Sequence, residues 1–172
     1  MNDIFQFTVP VFKKSLTALD ALLAKAEQMA RDKQVDEAAL LEVRLAPDMF
    51  PLKRQIQIAC DNAKGAVARL SGTENPAHAD EEKTFAELRA RIAKTLEFVN
   101  SVPESAFAEA ATRKVTLPYF QGKYFNGFDY AREYAIPNFF FHLVTAYGLL
   151  RKEGFEIGKA DYMGGLPLHD EV

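Results

Sequence analysis

One cysteine, three histidines and no tryptophan stand in 172 residues. A lone Cys60 excludes an internal disulfide framework, a CxxC redox pair and any cysteine-rich zinc module. There is no P-loop, GxGxxG turn, HExxH helix or GxSxG elbow, so the commonest nucleotide, zinc-protease and hydrolase motifs are missing. Neither sign of charge dominates: 21 Lys and Arg face 24 Asp and Glu, a formal −3. That balance argues against a phosphate-backbone binder, and no basic–aromatic strip suited to nucleic acid occurs. The longest apolar run lies within Phe139–Leu150 and is broken by His142 and Thr145, too short for a bilayer span. Residues 1–10 carry Asp3 and no basic cluster, the reverse of an export leader. The expectation is a cytoplasmic protein without nucleic-acid or membrane partners. Its 48% hydrophobic content is ordinary for a single folded domain, here spanning 1–172.

What is present is helical periodicity. Phe5, Phe12, Leu16, Leu19, Leu23, Ala26 and Ala30 form one stripe, with Pro10 near its start. A second stripe runs through Leu52, Ile56, Ala59, Ala63, Val67 and Leu70, with Asp48 as its N-cap and Ser71-Gly72 as its end. A third runs through Phe85, Leu88, Ile92, Leu96 and Val99, capped by Thr84 and stopped by Pro103. The polar stretch Gly72–Glu82 reads as a surface connection, and its Glu81-Glu82 pair, like Asp36-Glu37, as solvated charge. Residues 113–128 alternate β-favouring residues with the turn signals Gln121-Gly122 and Asn126-Gly127, which predicts a small hairpin or extended flap. The spacing predicts an all-α, up-and-down four-helix bundle with this β-like insertion before the last helix.

That last helix, over 128–152, is apolar almost all round, which implies burial on more than one side. A homodimer would cover the surplus; the flap folding back is the alternative. Before Arg151 its polar side chains are Asn138, His142 and Thr145, besides the Tyr147 hydroxyl, and the three fall within about 60° of one another. Unpaired in a core, each would cost about 1–3 kcal/mol. His142 is a metal ligand, a general base or a hydrogen-bonded core residue. A zinc site using His78 and His169 as well would need loop and tail to fold over the bundle. Cys60 reads as a small core residue. The aromatics Tyr119, Phe120, Tyr124, Phe125, Phe128 and Tyr130 either line the mouth of a pocket for an apolar ligand or plug the bundle end.

The run PNFFFHLVTAYGLLRKEG from Pro137, with IGKADYMGG, TLPYF, GFDY and PDMFPLKRQIQIACDNA, resembles an uncharacterised bacterial family within the DinB/YfiT-like superfamily. The resemblance implies an up-and-down four-helix bundle, often dimeric. In members with a site, three histidines hold a divalent metal (nickel, zinc or iron), and some members are thiol-dependent transferases or isomerases. The superfamily's last helix presents His-x-x-x-His ahead of a Leu-Arg pair. Aligning that pair with Leu150-Arg151 puts one ligand on His142 and the other on Asn138, which departs from the pattern. The segment IQIACD puts the remaining ligand on Gln57, with Gln55 or Asp61 as alternatives. One imidazole and two neutral amides form a poor nickel, zinc or iron site. The residues therefore point to a degenerate metal position in a small-ligand-binding or structural protein, with a metal- or thiol-dependent enzyme using His142 as the alternative.

Overall fold

The structure, a computed structural model, describes residues 3–170; Met1, Asn2, Glu171 and Val172 of the expected 1–172 domain lie outside the described residues. The chain is mostly helical, with one two-stranded antiparallel sheet. Four long helices carry the core: α1 (Asp3–Asp32), α3 (Leu52–Ser71), α4 (Phe85–Ser101) and α6 (Ile136–Lys152). Between them lie the short α2 (Glu37–Leu41), the strands β1 (Lys114–Val115) and β2 (Phe125–Asn126), and the turn α5 (Gly127–Asp129). A π-helical segment, Tyr130–Ala135, leads into α6, and α7 (Lys159–Met163) closes the order.

The predicted stripes become the buried faces, with Phe12, Leu16, Leu23, Ile56, Ala63, Leu88, Ile92 and Phe139 fully buried in one cluster. Pro10 sits inside α1, near its start but past its first turn. Its position is exposed, so the backbone carbonyl left without a donor lies on the solvent side of the helix. The second long helix starts at Leu52, with Pro51 and not Asp48 at the N-cap. Phe50 precedes a proline and is held out of the helical region, so residues 46–49 close a separate turn through Met49 N–H and the Ala46 carbonyl at 3.0 Å. Thr84 caps α4 as expected, in a reciprocal box with Glu87. Gly72 ends α3 at φ 76°, the left-handed region where a Cβ is costly.

Helix directions depart from simple up-and-down alternation. Asp20 and Glu27 of α1 reach Arg89 near the start of α4, so α1 and α4 are antiparallel. Gln55 and Asn62 of α3 meet His142 and Asn138 of α6 in reverse order, so these two are antiparallel as well. Gln57 meets Glu82 while Asp61 meets Arg91, so α3 and α4 run parallel. The connection between them must therefore return along the bundle. With 20 residues α3 is about 30 Å long, and residues 73–84 reach roughly 40 Å when extended. The return is possible only in an extended form that cannot satisfy its own backbone.

The predicted insertion is a two-residue ladder pairing Lys114 with Asn126 and Val115 with Phe125. Gly127 permits its close seat, since a Cβ there would stand 1.8 Å from the Ala110 carbonyl oxygen. No helix among the described residues is long and apolar enough to cross a membrane.

Candidate functional site

His142 is 7% exposed, on the face of α6 that packs against α3. Its Nδ1 lies 2.7 Å from Gln55 Oε1, and Gln55 Nε2 donates to the Phe50 carbonyl at 2.9 Å. The second contact fixes the amide, because only its nitrogen can donate to a carbonyl. Gln55 therefore offers an acceptor to the imidazole, and His142 is the Nδ1–H tautomer. Its Nε2 lone pair takes no hydrogen bond from the described residues and is not a buried unsatisfied atom, so that edge of the ring reaches solvent. Burial lowers the His142 pKa to about 4, and the nearby Arg54 charge acts the same way. The ring is neutral at pH 7.

One helical turn away, Asn138 Nδ2 donates to Asn62 Oδ1 at 2.9 Å, so α3 and α6 are joined by two polar rungs. Thr145 is not part of this ladder; its hydroxyl donates to the Phe141 carbonyl of its own helix at 2.6 Å. Nor is Gln57, whose amide donates to Glu82 at 2.7 Å and accepts from Arg54 at 3.2 Å. The imidazole partner is Gln55. Two residues along a helix turn a side chain by about 200°, and Gln57 faces Glu82 of the connection ahead of α4 instead. Asp61 also belongs to the α4 side, on Arg91 at 2.7 Å.

This donor set does not fit the superfamily's metal centre. It offers one imidazole, with Nδ1 already used, and the neutral amides of Gln55 and Asn138. No group of three or more His, Cys, Asp or Glu among the described residues is arranged to hold an ion, including His78 and His169.

A second polar centre departs from the expectation that Glu82 is solvated charge. Arg91 of α4 is 3% exposed, and Nη1 donates to Glu82 Oε1 and to the Ala79 carbonyl, both at 2.9 Å. Its Nη2 reaches Asp61 at 2.7 Å and Asp80 at 3.0 Å. Glu82 is thus a half-buried anchor and not solvated charge. Burial alone would push its carboxyl up, but hydrogen bonds from Arg91 and Gln57 outweigh that and hold it below the usual range. Arg91 does for the returning connection what the extended chain cannot do for itself. Its sequence signal was its place on the apolar face, three residues after Leu88 and four before Thr95. Glu37 likewise accepts from the Phe85 N–H and is not merely solvated. Cys60 is a core residue whose thiol burial pushes up to about 12, against smaller opposing effects of Thr95 and Arg91.

Four long helices around a polar rung that carries a histidine on the last of them define a DinB-like helical protein. More particularly, the chain belongs to the family DUF1993, a domain of unknown function, whose model matches residues 4–163. It is similar to a crystal structure of a DinB family member protein from Shewanella denitrificans, at 49% identity and a TM-score of 0.93 over 97% of this chain and 95% of that one. None of the curated proteins matches it.

Proposed function

We propose that this chain is a cytoplasmic, homodimeric binding protein in which the superfamily's metal position has become a neutral structural tie. The observation that carries this reading is the Phe50–Gln55–His142 relay, which engages the imidazole in helix packing. The test is metal content of protein purified without affinity tag or chelator, for wild type and His142→Ala. Substoichiometric metal in both is expected. Near-stoichiometric nickel, zinc or iron that disappears in the variant would overturn the reading.

The unpartnered Nε2 lone pair favours a second reading, a metal- or thiol-dependent transferase or isomerase using His142. Against it stands the depressed basicity. An imidazole with pKa about 4 accepts a hydrogen bond but takes a proton poorly at neutral pH.

The dimer is supported by the outer edge of α6. From Pro137 to Leu150 it carries no charged side chain, and Phe141 and Val144 are 55% and 49% exposed. Leu45 and Phe50, on the segment tied to α6 by Lys152 and the Arg44 carbonyl, are as exposed. A second copy of the same uncharged stripe is its natural complement. Sedimentation equilibrium should give a dimer for wild type and a monomer of unchanged helicity for Phe141→Glu/Val144→Glu. A monomeric wild type removes the dimer from the reading.

A further inference from the structure

We propose that the cleft between the end of α3 and the flap 114–124 binds a small aromatic anion, a ring carrying a carboxylate or phosphate. The site is about 20 Å along α3 from Gln55 and does not depend on the His142 reading. The cleft has a volume of about 580 Å³, within the range of small-ligand sites. Its lining includes Arg69, Lys114 and Lys123, the rings of Phe120 and Tyr124, and no acidic residue.

The cations are what single it out. In a chain of formal charge −3, three positive side chains converge here, and none has a carboxylate partner among the described residues. Every other arginine reaches a carboxylate or a backbone carbonyl: Arg31, Arg54, Arg89, Arg91, Arg113 and Arg132 the former, Arg44 and Arg151 the latter. Arg69 reaches only the Tyr130 hydroxyl, at 3.4 Å. Its guanidinium lies over Gly65, where a Cβ would stand 2.4 Å from Nη1. A planar guanidinium with unused donors matches a carboxylate or phosphate in two-point fashion.

The aromatic half of the ligand follows from the walls. Lys114 lies over the Tyr124 ring at 4.6 Å, leaving charge and π-face side by side. Phe120 is backed by Tyr134 and Phe125, with ring centroids at 5.8 and 5.7 Å. The π-helical segment stacks Tyr130 on Tyr134 at 5.9 Å, and Tyr134 donates to the Tyr119 hydroxyl at 2.9 Å. Such segments recur at functional sites because they re-aim side chains at a local cost in helix stability. Here the segment carries the aromatic wall that supports the cleft, and its Tyr130 hydroxyl contacts Arg69. The flap aromatics are thus divided between plugging the bundle end and lining a mouth.

Calorimetric titration of the full chain with phenyl phosphate, benzoate, inorganic phosphate and benzyl alcohol tests this. At least one of phenyl phosphate and benzoate should bind with Kd below about 1 mM, about tenfold tighter than inorganic phosphate or benzyl alcohol. Which of the two is tighter identifies the anionic group. Arg69→Gln removes the fork, and Gly65→Ala displaces it while leaving every lining residue intact; each should weaken binding about tenfold or more. Melting temperatures of both variants should stay near wild type, since Arg69 forms no ion pair and its tip can move aside for a methyl group. Lys123→Gln, at an exposed position, serves if either variant fails to fold, with a weakening in the same direction. Absence of saturable binding by both phenyl phosphate and benzoate overturns the proposal, and so does binding unchanged in the folded variants.

Discussion

Arg91→Met is expected to cost about 3–5 kcal/mol of folding stability, or roughly 10 °C in melting temperature for a chain of this size. The substitution keeps an unbranched apolar stem and removes the charge. Asp61 retains Lys64 at 3.2 Å, and Asp80 retains Arg54 at 2.5 Å. Glu82, with a side chain only 12% exposed, is left with the Gln57 amide and a local backbone N–H, and no cation. A carboxylate so shielded and stripped of its cation costs more than the loss of a surface pair. Hydrogen exchange should quicken in residues 77–83, because the Ala79 carbonyl and Glu82 side chain lose their anchor together. Adding Glu82→Gln to Arg91→Met should recover part of the loss, which a double-mutant cycle measures. A loss under about 1 kcal/mol with unchanged exchange would show that water screens the network, as on a surface.

Acid should destabilise the fold well before the carboxylates titrate. His142 has its pKa lowered from 6.5 to about 4, so between those values the unfolded chain holds a proton that the folded chain refuses. Stability therefore rises with pH through this window and falls on acidification, by an amount on the order of 3 kcal/mol when complete. His78, lowered by burial and by the charges of Lys64 and Arg91, adds in the same direction. Glu82, lowered as a carboxylate, contributes stability that is lost only at more acid pH, below the usual glutamate range. His142→Asn isolates the imidazole. Its amide nitrogen replaces the Nδ1–H toward Gln55 and does not titrate. Urea midpoints from pH 7 down to about 4.5 should fall steeply for wild type and distinctly less for the variant. Equal slopes would assign the acid sensitivity to other groups.

The His142→Asn variant also separates packing from ligand chemistry at this position. It keeps the rung to Gln55 and loses the Nε2 acceptor. A protein that relies on His142 only to hold α3 to α6 tolerates the change near neutral pH. One that uses Nε2 toward a ligand does not.

Much of the architecture lay in the sequence by itself. Apolar spacing located the four long helices because each buries one face, and a face repeats about every 3.6 residues whatever lies opposite. Thr84 and Gly72 marked helix ends because capping is local. His142, isolated in an apolar helix, marked itself as a buried polar group that needed a partner. Only the tertiary structure decided which partner. Gln55 and Gln57 have the same chemistry and lie on nearly opposite sides of α3, and a register error of two residues exchanges α6 for the connection ahead of α4. Apolar periodicity also carries no direction, so the parallel course of α3 and α4 was hidden, and with it the extended return that requires Arg91. The burial of Glu82 and the unpaired state of Arg69 were hidden for the same reason. The solvation of a charge is set by what the rest of the chain brings beside it, through contacts between residues far apart in the sequence.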